Sequence, residues 1–238
     1  MKFCVIGDSW AGWTGANSIH TLASGWGPAK YLAPLDNYLS KHGHTISENT
    51  SACGASNFGQ LQMLEYQTDF TRFDRIIWMY TEPARNLTEF ADNEDLEKQY
   101  PDLTRKNFYK DMDYVQTQDF KYAQRLYETH KKPFIVIGGA GKINKLDVDY
   151  PFIQWLLPSW NKLLCELENM PVNCYVHHVA TLMESPSFNY NKAEILEEIE
   201  KLEQLTRLMK NNKELYHDEC HPSLHLYDEM LEKLLKLI

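Results

Sequence analysis

The sequence lacks the features that mark several classes of protein. No run of basic residues alternates with aromatic ones, and the formal net charge of −9 would repel a nucleic-acid backbone. The five cysteines form no CxxC pair and are odd in number, so neither a disulfide framework nor a thiolate zinc site is indicated. We therefore expect a cytoplasmic protein that uses no metal and no cofactor and does not bind nucleic acid.

Long apolar segments are also missing. The apolar run at residues 3–6 is too short for a signal peptide or a membrane span, so we expect no membrane partner. A chain of 238 residues with 43% hydrophobic residues can bury one substantial core, and no stretch resembles a flexible joint. We expect one domain over residues 1–238. The sequence gives no sign of an oligomeric state.

Short apolar runs alternate with segments of helical spacing. Strands are predicted at residues 3–6, near 45, at 75–80, 133–139 and 172–179, and helices at 30–41, through 61–64, at 119–130 and at 156–167. Near-continuous apolar strands are typical of parallel sheets that are covered on both faces. This alternation predicts a three-layer α/β/α fold around a mostly parallel, five-stranded, flavodoxin-like sheet.

Two segments, at about 86–118 and 184–216, do not fit the minimal scheme and are interpreted as insertions. The first is polar, acidic and rich in tyrosine, so it is either a substrate lid or a solvated surface excursion. The second reads as a charged helix with one apolar stripe, which is typical of core packing or at most a dimer seam. The stripe consists of Ile195, Ile199, Leu202, Leu205 and Leu208.

Ser9 is the first candidate for chemistry. Gly7, Asp8 and Ser9 directly follow the first predicted strand, at the sheet edge where open α/β folds bind their ligands. The same three residue types are also common in ordinary turns after a strand. The position therefore makes Ser9 a candidate nucleophile, without excluding a simple turn.

A second candidate pair lies near the C-terminus, where Asp218 and His221 precede Pro222. Proline keeps His221 out of helical geometry, so the imidazole is predicted on a loop before a final amphipathic helix. An aspartate three residues earlier can accept a hydrogen bond from one imidazole nitrogen, which leaves the other nitrogen free to face a serine hydroxyl. A locally bonded turn and metal ligation are alternatives, although no third ligand stands out nearby.

Together, the Gly-Asp-Ser block and the Asp-x-x-His-Pro block resemble the SGNH, or GDSL, hydrolase family in composition and placement. This resemblance implies that Ser9 is the nucleophile and that Asp218 and His221 complete a catalytic triad. It also implies that the backbone N–H groups of Ser9 and Gly54 stabilise an oxyanion.

One block departs from that family. The chain has Glu82 where the family has an asparagine that donates to the oxyanion, and an ionised carboxylate cannot donate. Either Glu82 points elsewhere, or Asn86 or Arg85 takes over as the third donor. We expect Asp8, Trp10, Glu82 and Arg85 to border the substrate.

The resulting prediction is a serine hydrolase that cleaves carboxylic esters through an acyl-enzyme, on small molecules or acylated carbohydrates. A non-catalytic binding module on the same fold and an acyltransferase to sugar hydroxyls are the alternatives.

Overall fold

The computed structural model describes residues 1–8, 34–51, 54–88, 93–138, 150–157, 159, 165–166, 169, 190–212 and 224–238. Within these ranges, five strands form an all-parallel sheet in the order β2–β1–β3–β4–β5. The strands are β1 (Lys2–Gly7), β2 (Thr45–Asn49), β3 (Arg75–Tyr80), β4 (Phe134–Gly138) and β5 (Ile153–Leu157).

The described helices lie between and after the strands. They are α1 (Pro34–Lys41), α2 (Asn57–Gln67), a 3₁₀ helix (Pro83–Thr88), α3 (Asn93–Gln99), α4 (Phe108–His130), α5 (Lys192–Asn211) and α6 (Leu224–Leu235). None of them is both long and apolar enough to cross a membrane.

The sheet is covered on both faces, as the apolar strands predict. Along β3, Ile77 and Met79 pack in one cluster with residues of α1, α5 and α6, whereas Ile76 and Trp78 pack in another with residues of α2 and α4. Successive side chains of a strand point to opposite faces, so a strand between two helical layers must be apolar throughout. The predicted three-layer α/β/α fold is confirmed.

A third hydrophobic cluster joins the two segments that the sequence marks as insertions. Its buried members come from the 3₁₀ helix, α3, the start of α4 and α5, together with Tyr100 and Tyr190. They are Ala84, Leu87, Leu96, Tyr100, Phe108, Met112, Val115, Tyr190 and Ile195. The described part of the first insertion therefore contributes buried side chains to the hydrophobic core.

The apolar stripe of α5 also packs inside the fold. Ile195 and Leu205 are buried, and Ile199, Leu202 and Leu208 pack partly buried against the hydrophobic clusters. The core-packing interpretation of this stripe is confirmed.

Two elements differ from the prediction. Helix α4 begins at Phe108 rather than near 119, and Asn107 caps it by accepting a hydrogen bond from the backbone N–H of Lys110. The fifth strand lies at Ile153–Leu157, so residues 156–157 are strand where a helix was predicted. A short apolar run fits both the helical and the strand pattern, and here the pairing with β4 stabilises the strand. The strand predicted at 172–179 lies outside the described residues.

Candidate functional site at the carboxyl ends of β1 and β3

The order of the strands creates a crevice between β1 and β3. The chain passes from β1 to β2 on one side and then to β3 on the other side, so the direction of winding reverses between these neighbours. Open α/β sheets bind ligands outside the carboxyl ends of the strands at such a switch point. Asp8 directly follows β1 and Thr81 directly follows β3, and the two strands pair in register with Gly7 opposite Met79.

Four polar residues meet at this point, and we call Asp8, Thr81, Glu82 and Arg85 the Arg85 cluster. Nη1 of Arg85 lies 3.2 Å from Oδ2 of Asp8. Nε and Nη2 of Arg85 donate to Oε1 of Glu82 at 3.2 and 2.9 Å. The side chains of Arg85, Asp8 and Glu82 are only 11%, 6% and 2% exposed. Their charges are therefore stabilised mainly by the ion pairs between them and little by hydration.

The hydroxyl of Thr81 lies between the two carboxylates. Its Oγ1 is 2.9 Å from Oδ2 of Asp8 and 3.3 Å from Oε2 of Glu82. Because a hydroxyl has one proton, the shorter contact makes Asp8 its preferred acceptor. Two carboxylates and one guanidinium give the cluster a formal charge of −1.

A tight turn brings Arg85 back to Glu82. The 3₁₀ helix begins at Pro83, a residue suited to the first helical position, and the backbone N–H of Arg85 donates to the carbonyl of Glu82 at 3.1 Å. Side chains three residues apart face each other in such a turn, so the guanidinium reaches the carboxylate. Glu82 is therefore directed to Arg85, one of the arrangements that the sequence left open.

Helix α2 is attached to the end of β3 by a reciprocal pair of hydrogen bonds. Nδ2 of Asn57 donates to the carbonyl of Thr81 at 3.0 Å, and the backbone N–H of Thr81 donates to Oδ1 of Asn57 at 2.9 Å. Ser56 caps the helix by accepting from the N–H of Gly59. The first turn of α2 is thereby fixed beside the Arg85 cluster.

Gly54 lies in the turn before α2, with a φ of +77°. This left-handed conformation favours glycine. A Cβ built there would meet nothing within 4 Å, so the demand for glycine comes from the backbone and not from lack of space. Its predicted oxyanion role remains a prediction.

Asn86 belongs to a second, fully buried group, which we call the Asp119 network and which consists of Tyr80, Asn86, Tyr100 and Asp119. Nδ2 of Asn86 donates to Oη of Tyr100 at 2.8 Å and to Oδ1 of Asp119 at 2.6 Å. Oη of Tyr80 donates to Oδ2 of Asp119 at 2.8 Å. Because both amide hydrogens of Asn86 are engaged, this arrangement leaves none for an oxyanion.

Burial, together with the nearby Asp119 carboxylate, raises the pKa of Tyr80 well above its ordinary value. The hydroxyl thus stays protonated and remains a donor to Asp119 across the neutral range.

The structure brings three of the predicted site residues together, namely Asp8, Glu82 and Arg85. Ser9, Trp10, Asp218 and His221 lie outside the described residues, so the triad stays a prediction. Thr81 and Asn57 are not predicted from the sequence as site residues. The capping signal at Ser56 marks the start of α2, but nothing local shows that Asn57 would bond to Thr81.

Neither the comparison with protein-family models nor the comparison with curated proteins finds a match for this chain. In the part of the chain that the structure describes, no three His, Cys, Asp or Glu side chains are grouped to hold a metal ion.

Proposed function

We propose that the chain is a serine hydrolase that cleaves carboxylic esters, with Ser9 as nucleophile, His221 as general base and Asp218 as the partner of the imidazole. The observation that carries this proposal is the position of Asp8 at the β1/β3 switch point, held by Arg85 and Thr81. Ser9 is the next residue in the chain, and ligands of such folds bind at this place.

In the proposed reaction, His221 takes the proton of the Ser9 hydroxyl as its oxygen attacks the ester carbonyl carbon. The alcohol then leaves with a proton from His221, and water hydrolyses the acyl-enzyme in the reverse sequence of proton transfers. The Arg85 cluster would hold Asp8, the residue before Ser9. Pairing of Glu82 with Arg85 also offsets a negative charge that would otherwise oppose the oxyanion.

A non-catalytic binding module is the second candidate. It is favoured by the engagement of both Asn86 amide hydrogens in the Asp119 network and by the direction of three Arg85 donors to carboxylates. Loss of one oxyanion donor typically lowers turnover by about 100- to 1000-fold, which leaves a slow enzyme rather than none.

Replacement of Ser9 tests the proposal directly. In Ser9→Ala, hydrolysis of p-nitrophenyl acetate should fall by about 10⁴-fold or more, with an unchanged thermal unfolding midpoint. Ser40→Ala is the matched control, because Ser40 lies on α1 and its hydroxyl donates to the carbonyl of Asn37 at 2.9 Å. Equal activity of wild type and Ser9→Ala would dismiss Ser9 as the nucleophile.

A fluorophosphonate probe separates the enzyme from the binding module. It should label wild type at Ser9 and leave Ser9→Ala unlabelled, because labelling requires an activated serine. The rate should also fall below about pH 6.5 as His221 gains a proton, and a rate that is flat down to about pH 5 would contradict a histidine base.

A further inference from the structure

A groove of about 380 Å³ lies between α2 and α4. Three of its lining residues, Phe58, Gln62 and Tyr66, are spaced four apart on α2. Gln118, Tyr122 and Arg125 line it from α4, also at helical spacing. Each row is one face of its helix, and the α2 row from Phe58 to Tyr66 covers about 12 Å. The volume falls within the range of roughly 300–1,000 Å³ that is usual for small-molecule sites.

The aromatic wall of the groove is fixed in place. Tyr122 donates from its hydroxyl to Glu65, lies edge-on to Phe58 at 5.9 Å between ring centroids, and carries the guanidinium of Arg125 over its ring at 4.4 Å. Tyr66, by contrast, is 76% exposed, which is unusual for so large a side chain. The groove thus combines an ordered wall with an uncovered ring.

Amide groups supply the polar character of the groove. The side chains of Gln62, Gln99 and Gln118 line it and form no hydrogen bond with the described residues. Each amide can both donate and accept, as a hydroxyl ligand requires. Three charged side chains, Asp119, Lys121 and Arg125, also line the groove, and Arg125 is paired with Glu65 at 3.0 Å. With one carboxylate and one paired guanidinium beside Lys121, the groove does not carry the concentrated positive charge that a polyanion would need.

The groove is linked to the candidate site through Asn86. Its floor includes Tyr100 and Asp119, which both bond to Asn86, the residue after Arg85. The backbone N–H of Phe58 also donates to Oδ1 of Asn86 at 3.3 Å. The groove therefore leads away from the β1/β3 crevice along α2.

We propose that the α2/α4 groove binds a neutral oligosaccharide, with Tyr66 stacking on a sugar ring and the three glutamines bonding to hydroxyl groups. This inference rests on the proposed function in so far as the sugar is the alcohol part of an acylated carbohydrate. The face of an aromatic ring is negative, and it attracts the weakly positive C–H groups of a sugar face. Neutral amides match hydroxyls without the desolvation cost of charges.

The test uses acetylated and unacetylated tetrasaccharides of glucose, xylose and N-acetylglucosamine, with p-nitrophenyl acetate as a substrate too small to fill the groove. Tyr66→Ala should raise KM for an accepted acetylated tetrasaccharide by about 10-fold, with kcat and p-nitrophenyl acetate hydrolysis unchanged. Tyr66→Phe keeps the ring and should stay within about 2-fold of wild type. Gln67→Ala, at the exposed end of α2 outside the groove lining, is the matched control.

Binding of the unacetylated tetrasaccharides, measured by calorimetry, separates this inference from the proposed function. If wild type hydrolyses no ester but binds a tetrasaccharide more tightly than Tyr66→Ala does, the groove assignment stands and the hydrolase proposal fails. If wild type hydrolyses p-nitrophenyl acetate but binds no tetrasaccharide, or if Tyr66→Ala behaves like wild type, the groove assignment is overturned.

Discussion

The Arg85 cluster and the Asp119 network contain two consecutive residues, Thr81 and Tyr80, yet the two groups differ in the number of charged side chains that they bury. The first encloses three charged side chains with little access to water. The second encloses one carboxylate, which accepts hydrogen bonds from a phenol and an amide. Both groups are buried and hydrogen-bonded, so burial alone does not distinguish a functional site from a structural hydrogen-bond network.

The difference shows what each group contributes. The Asp119 network connects β3, the 3₁₀ helix and α4, and its buried carboxylate accepts hydrogen bonds from Tyr80 and Asn86. The Arg85 cluster gathers three buried charges that depend on their ion pairs, and it contains Asp8, the residue before Ser9. We expect both groups to stabilise the fold, and only the cluster to affect activity as well.

Removal of the guanidinium should have the largest effect. Arg85→Ala removes the guanidinium that pairs with the buried carboxylates of Asp8 and Glu82, so the free energy of unfolding should fall by about 3–5 kcal/mol in urea titration. Arg72→Ala is the matched control, because Arg72 is 60% exposed in its ion pair with Glu48 and should lose no more than about 1 kcal/mol. Similar small losses in the two variants would show that the cluster is far more hydrated than its burial indicates.

Asp119→Ala should have the next largest effect, through loss of the acceptor for Tyr80 and Asn86. Two buried donors without partners should lower the free energy of unfolding by about 3 kcal/mol. Hydrolysis of p-nitrophenyl acetate by the folded variant should stay within about 3-fold of wild type. Asp119→Asn keeps one acceptor oxygen and should lose less stability. A collapse of activity in folded Asp119→Ala would contradict the separation of the two groups.

Tyr80→Phe should have the smallest effect, about 1.5 kcal/mol at neutral pH, because one hydrogen bond to a carboxylate is lost. The pKa of Tyr80 is raised in the folded protein. The stabilising contribution of its hydroxyl is therefore complete below the ordinary tyrosine pKa of about 10, and it is lost as the pH rises above that value. Wild type should therefore lose stability more steeply than Tyr80→Phe between about pH 10 and 11. Parallel curves from chemical unfolding would argue against a protonated Tyr80.

The sequence predicts the central strands because β3 and β4 are apolar on both faces, which leaves few alternatives. It also predicts that Asp8 and Arg85 border the substrate, but it does not predict the ion pair that joins them across 77 residues. It does not predict the bonds of Asp119, which is 39 residues from Tyr80 and 33 from Asn86 and belongs to a helix that looks polar in its first turns. Strand β5 is not predicted because it has only five residues, and so short a segment shows no periodicity that would distinguish a strand from a helix.

The paired hydrogen bonds between Asn57 and Thr81 have a mechanical consequence. An axial slip of α2 would break both bonds at once, in a place where water cannot replace them, so the helix and the strand end must move as a unit. Tyr66 lies about two turns farther along the same helix, so its backbone position is fixed relative to the end of the central sheet. A ligand that binds to this helix would therefore lie at a fixed distance from the β1/β3 crevice.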